Sequence, residues 1–223
     1  MKRVTLPQLK LYLSAAPQPR DIDMVILHHT WRPRASEYLG EYTWSAIRRY
    51  HMKQKGWSDI GYHVGIGPDG SIWLLRPIER SGAHCLGKNS HSVGVVMIGD
   101  FDVENPYDNG YATAIDVIAA VCHAYELDAD AVYFHRDFAN KTCPGTKIKR
   151  EDVRRLVNSK LKTGSYYPGA VNIVVEHNGQ VVGSCMGQLE QGTVVASVRI
   201  LAELVGAEVK DEIPQSRTVR ILI

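Results

Sequence analysis

Met24-Val25-Ile26-Leu27-His28-His29-Thr30 is an unbroken apolar run that ends on two imidazoles. Such a run reads as a strand buried on both faces. Downstream the pattern recurs: Ala131-Val132-Tyr133-Phe134 is a second short apolar strand, and it too ends on a histidine, His135. Two parallel strands that deliver His at their carboxyl ends would place both rings at one rim of a sheet, where α/β sites form. The loop that follows runs to Lys141-Thr142-Cys143-Pro144-Gly145 and is long enough to fold back onto that rim. Two imidazoles and a thiolate make a three-ligand site with an open fourth position, the mark of a catalytic rather than a structural zinc. Donors of this softness favour zinc over magnesium or calcium. His29 competes with His28 for the role. Neighbouring strand residues point to opposite faces, so only one of them binds the metal, and spacing alone does not choose.

Further motifs lie between the two strands: Gly61-Tyr62-His63-Val64, Gly82-Ala83-His84-Cys85-Leu86-Gly87-Lys88-Asn89, Ser92-Val93-Gly94-Val95 and Gly99-Asp100-Phe101. With Leu27-His28-His29-Thr30 before them and His135-Arg136 to Cys143-Pro144-Gly145 after them, they span about Ile22 to Arg155. In this order they resemble the zinc-dependent N-acetylmuramoyl-L-alanine amidases, the group of the phage T7 lysozyme type and the animal peptidoglycan recognition proteins. The resemblance implies an α/β fold with a central mixed sheet flanked by helices and a Zn2+ ion in a cleft at one edge. It implies peptidoglycan as substrate and partner, and hydrolysis of the amide between N-acetylmuramic acid and the first L-Ala of the stem peptide. It selects His28 over His29, so that the ligands are His28, His135 and Cys143. Zinc would lower the pKa of bound water and polarise the carbonyl.

The same resemblance assigns helpers. Matching Tyr and Lys residues in the T7-type members support hydrolysis without holding zinc, which implies catalytic roles for Tyr62 and Lys141. A Lys141 ammonium would stabilise the tetrahedral oxyanion, and Tyr62 would hydrogen-bond the attacking water or the same oxyanion. His84 and Asn89 are expected to contact substrate, with His84 also able to carry protons. Some related amidases use a Glu as general base; Glu37 and Glu41 follow the first ligand, and no motif picks out either. Peptidoglycan recognition proteins that bind without cutting typically replace the ligand Cys. Retention of Cys143 therefore favours hydrolysis over the alternative, a non-hydrolytic peptidoglycan-binding protein of the same fold.

Composition narrows the remaining classes. A formal net charge of +2 over 223 residues makes no case for nucleic acid. Cys85, Cys122, Cys143 and Cys185 have no close spacing, which excludes the disulfide framework of a small secreted domain and suits a reducing cytoplasm. Pro7 and Lys10 interrupt the first residues, so no signal-peptide h-region is read there. No apolar run is long enough to insert into a membrane. The expectation is an endolysin of phage or prophage type, made in the host cytoplasm and acting on the wall after release.

Periodicity places the remaining elements. Residues 1–22 read as an extended lead-in. A helix starts at Thr43 with Trp44, Ile47, Tyr50 and His51 on one face; Tyr62–Gly67 and Ser71–Leu75 form a hairpin; Val93–Ile98 is a buried strand. Thr113–Leu127 and Glu151–Leu161 are amphipathic helices. His63 is expected to pack, and His51, His91, His123 and His177 to be structural or surface residues. A linker near 162–168 separates a zinc amidase domain, 1–162, from a small α+β domain, 166–223. The latter reads ββαββ: strands Val171–Glu176 and Val181–Ser184, a helix Ala196–Val205 capped by Gly206, then strands Ala207–Lys210 and Thr218–Ile223. On Val181-Val182-Gly183 and the stretch from Val198 to Val209 it resembles the small domain at the N-terminus of some copper amine oxidases, also appended to bacterial wall proteins. Wall attachment is expected of it, or a homodimer through Thr218–Ile223 as an edge strand.

Overall fold

The structure, a computed structural model, describes residues 1–16, 20–108 and 110–162, and the strand backbones of 170–177, 180–190, 193–195, 208–209 and 219–222. The chain forms two compact units, Met1–Thr163 and Gly164–Ile223.

The first unit is built around β2 (Met24–His29), all six residues of which are buried. It pairs in parallel with β5 (Ser92–Met97) on one side and β6 (Val132–Phe134) on the other. Beyond β5 lie β3 (Val64–Ile66), parallel to β5, then β4 (Ile72–Leu74) and β1 (Lys2–Val4), each antiparallel to its neighbour. The result is a six-stranded mixed sheet of order β1-β4-β3-β5-β2-β6. The continuous apolar run of β2 follows from its central place: a strand covered on both faces has no solvent side on which to alternate.

Helices flank this sheet. α2 (Glu41–Lys53) sets Trp44 and Ile47 into a cluster with Trp73, Val96 and Ile98. The Trp44 indole lies directly over Gly65, where a Cβ would stand 2.5 Å from the ring. Gly65 is level with Trp73 and Val96 in its neighbouring strands, so these three positions form one row under the indole. α3 (Tyr111–Ala124) packs against β2 and β5 and against α1 (Leu6–Ala15) and α4 (Arg150–Lys162). No helix among the described residues is long and apolar enough to cross a membrane.

Several boundaries differ from the sequence reading. Residues 1–22 are not an extended lead-in, because β1 and α1 fall within them. Thr5 caps the helix: its hydroxyl accepts from the Gln8 amide at 3.4 Å, and Gln8 Oε1 accepts from the Thr5 amide at 2.9 Å. Pro7 sits in the first turn, where its missing N–H has no partner to lose. Leu9 and Leu13 are fully buried and anchor the helix. α2 starts at Glu41 rather than Thr43, from a Gly40 cap at φ +60°, and Tyr50 is exposed instead of sharing the apolar face. In α4, Val153 and Val157 are buried, while Leu156 is only partly so.

The second unit carries a five-stranded sheet of order β10-β11-β7-β8-β9. Its strands are β7 (Ala170–His177), β8 (Gln180–Glu190), β9 (Thr193–Val195), β10 (Glu208–Val209) and β11 (Val219–Leu222). β8 is longer than the expected Val181–Ser184, and β9 was not expected. Of the segment read as an edge, the described part, β11, pairs in parallel with β7 along Val219–Leu222 and antiparallel with β10 at Ile221 and Leu222, so it has a neighbour on each side. The helix expected at Ala196–Val205, with its Gly206 cap, lies outside the described residues.

Two buried imidazoles outside the ligand set tie this framework together. His63 is 1% exposed; its Nδ1 accepts from the Gly94 amide at 2.9 Å, and its Nε2 lies 3.0 Å from the Arg80 carbonyl, to which it donates. Burial pushes its pKa down to about 3. His51 accepts from the Gly61 amide at 3.2 Å, and burial, with the Arg76 charge, lowers it to about 4. Both rings are neutral when folded and titrate near 6.5 when unfolded. Their stabilising effect is therefore complete above the unfolded value and is lost as acid protonates the unfolded chain. Unfolding free energy should fall by up to about 1.4 kcal/mol per pH unit for each ring between about pH 6 and pH 4. Urea titrations across this range check it; a His63→Asn variant should show a shallower slope, and an equal slope would remove His63 from the account.

Candidate metal and active site

The register of β2 and β6 sets the geometry. Leu27 lies opposite Phe134, so His28 and His135, each the next residue, stand at the same level of the sheet. Their ring centroids are 4.7 Å apart. The loop after β6 folds back because Arg136 binds it along its length: the Arg136 amide donates to the Cys143 carbonyl at 2.9 Å, and its guanidinium donates to the carbonyls of Thr142, Gly145 and Ile148 at 3.2, 2.8 and 2.8 Å. From the other side Asp102 accepts from the Thr142 hydroxyl at 2.6 Å and the Thr146 amide at 2.8 Å. Cys143 Sγ thereby comes to 3.7 Å from His28 Nδ1.

One donor atom from each of His28, His135 and Cys143 lies within 4.8 Å of the other two. Tetrahedral zinc, with bonds of about 2.3 Å to sulfur and about 2.0 Å to nitrogen, would hold S and N about 3.6 Å apart. The observed 3.7 Å suits that ion. His29 faces elsewhere: its Nδ1 accepts from the Phe101 amide at 3.2 Å, while its own amide donates to Cys143 Sγ at 3.4 Å. Without a cation the donors are held neutral. Burial pushes the Cys143 thiol up to about 12, burial and then Lys141 lower His135 to about 4, and burial with neighbouring imidazoles lowers His28.

Tyr62 and Lys141 border this triad. The Tyr62 ring lies 5.2 Å from that of His28, and burial raises its pKa, which keeps the phenol protonated as a donor. Lys141 is exposed on the metal-site loop, and its charge acts on His28, His135 and Cys143. His84 and Asn89 line the groove too, yet both make internal bonds. His84 is 6% exposed with Nδ1 3.1 Å from His28 Nε2. Asn89 Oδ1 accepts from the amides of His84 and Cys85 at 2.8 and 2.9 Å, which shapes the loop that carries the ring. Cys85 is buried.

Above these groups lies a groove of about 930 Å³. Its walls include Trp31, Arg32, Tyr50, His51, Lys55, Trp57, Leu86 and Phe138, none of which the sequence analysis assigned to the site. Leu86 and Phe138 lie within the Gly82–Asn89 and His135–Gly145 motifs and Trp57 stands beside Gly61-Tyr62; the others carried no signal of position. Trp31 is 61% exposed at φ +59°, a conformation rare for a bulky residue, and its backbone N–H donates a hydrogen bond to the Gly99 carbonyl at 2.9 Å. No Asp or Glu lines the groove among the described residues. Glu37 accepts from the Arg34 amide and pairs with Arg32, and Glu41 begins α2.

A family model described as N-acetylmuramoyl-L-alanine amidase matches residues 18–146. Peptidoglycan-recognition protein LB of Drosophila melanogaster is 35% identical over 130 residues, covering 57% of this chain and 56% of that protein. A human protein named N-acetylmuramoyl-L-alanine amidase is 31% identical over 134 residues, 57% of this chain and 23% of the relative. The chain thus spans little more than half of the first relative and less than a quarter of the second. Among solved structures, the N-acetylmuramoyl-L-alanine amidase LysC of Clostridium intestinale aligns with a TM-score of 0.53 and 27% identity, over 65% of this chain and 91% of that one. By the extent of the family match and the shared mixed-sheet fold, the chain belongs to the N-acetylmuramoyl-L-alanine amidase family.

Proposed function

We propose that this protein is a zinc-dependent amidase that cleaves the bond between N-acetylmuramic acid and L-alanine in peptidoglycan, acting as an endolysin. The observation that carries the reading is the convergence of the donor atoms of His28, His135 and Cys143, with His135, Tyr62 and Lys141 lining the groove. His28, His135 and Cys143 would hold the ion, which supplies an activated water and a Lewis acid for the amide carbonyl. The Lys141 ammonium offers positive charge to the tetrahedral oxyanion. The Tyr62 O–H, kept protonated by its surroundings, donates a hydrogen bond to the reacting oxygens. Arg32 and Lys55 add cationic character to a groove that no carboxylate lines among the described residues, which suits the acidic peptide stems of the wall. Cys143, buried and aimed at His28, favours hydrolysis over binding alone.

Chelation should abolish the release of L-Ala amino termini from purified wall, and added zinc should restore it, with no new reducing sugar ends at any stage. Because the Cys143 thiol is protonated without the ion, zinc uptake at neutral pH should release about one proton per site. Cys143→Ser should lose metal or activity. A metal-free preparation that cuts at the full rate would falsify the zinc reading.

Lys141→Ala should keep its zinc and lose about 10²–10³ in turnover, the usual cost of one oxyanion donor. Loss of zinc, or turnover equal to the parent, would contradict the assigned role.

The unit Gly164–Ile223 belongs to this proposal as a wall-attachment or dimerisation module, since the candidate metal and groove residues all lie in the first unit. A chain ending at Lys162 should still hydrolyse soluble muropeptide. It should bind whole walls more weakly or sediment as a smaller assembly than the chain length alone requires. Failure to fold, or parity with the parent in both measurements, counts against the module.

A further inference from the structure

The His28 ring must present a bare Nδ1 toward Cys143 to act as a ligand, and a free imidazole chooses between two tautomers. The hydrogen bonds behind it leave one choice. They begin at the Lys88 carbonyl, which can only accept. Ser92 Oγ lies 2.6 Å from it and spends its single proton there. Ser92 Oγ can therefore only accept from its other neighbour, His84 Nε2, at 3.4 Å, so that nitrogen carries the His84 proton. A neutral His84 then has a bare Nδ1, which lies 3.1 Å from His28 Nε2. Two bare nitrogens would repel, so His28 Nε2 is protonated and donates. The lone pair of His28 is left on Nδ1, the atom 3.7 Å from Cys143 Sγ.

The surroundings are shaped to hold the middle ring. His84 is 6% exposed and Ser92 fully buried. A Cβ at either Gly82 or Gly94 would stand 2.5 Å from His84 Cδ2, so both positions must lack a side chain for the ring to fit. Asn89 fixes the loop backbone at His84 and Cys85. Two motifs of the sequence, Gly82–Asn89 and Ser92–Val95, thus meet at one buried imidazole.

We propose that Ser92 and His84 are positioning residues that form a one-way hydrogen-bond relay, fixing the His28 tautomer and orientation for the metal. His84 then acts through His28 rather than by touching substrate. The inference rests on the zinc reading of the site, but its measurements need no substrate, so a loss of hydrolysis alone bears only on that reading.

The test uses the full chain labelled with ¹⁵N at histidine. In zinc-free protein at about pH 8, above the ordinary histidine range, His28 should carry its proton on Nε2 and His84 on Nε2. Zinc affinity, read by competition with a chromophoric chelator, should fall by about 10–100-fold in His84→Phe, the usual cost of removing a partner of a ligating histidine. His84→Asn, which keeps an acceptor near the place of Nδ1, should stay close to the parent. Ser92→Ala should leave the fold intact, weaken zinc less than His84→Phe, and populate the other His84 tautomer. A parent protein with His28 protonated on Nδ1 overturns the relay, and so does a folded His84→Phe variant that binds zinc as tightly as the parent. Should His84→Phe fail to fold, the tautomers of the parent still decide.

Discussion

The parallel register between β2 and β6 is the constraint on which the site depends. With Leu27 opposite Phe134, His28 and His135 emerge at one level. A slip of one residue along β2 would exchange His28 for His29 and turn every neighbour to the other face. The strand is held against such a slip because all six of its residues are buried and paired on both sides. Cys143 is brought to this pair by a different device, the Arg136 guanidinium bound to three carbonyls of one loop. Sheet register positions two donors, and a side-chain clamp positions the third.

Desolvation gives the site its chemical character. Burial disfavours every charged form within it, so the imidazoles are driven neutral and the thiol and phenol are driven protonated. Neutral imidazoles are what a metal requires, whereas the thiol must give up its proton, so ion uptake and proton release are coupled. Among the described residues the groove is lined by cations and by no carboxylate. Negative charge that develops there is favoured, and an acidic ligand meets no like charge from these residues.

Architecture was legible where the hydrophobic pattern was continuous or strictly periodic. The apolar runs before His28 and His135 and the long helix from Tyr111 appear at the places the pattern indicates. The pattern was misleading at the N-terminus, where Pro7 and a low amphipathic contrast concealed α1. A proline in the first turn starts a helix as readily as it breaks one, and only the Thr5–Gln8 cap and the burial of Leu9 and Leu13 settle which. Val219–Leu222, within the segment read as an edge, was misread for a related reason. An apolar strand at a chain end resembles an edge, but its neighbours in the sheet come from residues distant in sequence, and it is paired on both sides.

By itself the sequence determined the chemistry on offer: two strand-end histidines, a cysteine in a loop, a tyrosine and a lysine beside them, and glycines at 82 and 94. Those are properties of residue type and order, which a sequence states directly. The tertiary structure decided which nitrogen of which ring faces the thiol, that His29 turns to Phe101, and that His84 and Asn89 are engaged from within. It also decided which aromatic and cationic residues wall the groove. Such choices turn on distances of a few ångströms between segments more than fifty positions apart, as between His28 and His84, and local propensity carries no information at that range. They exist only once the parallel strands have closed and the loops between them have been packed into place.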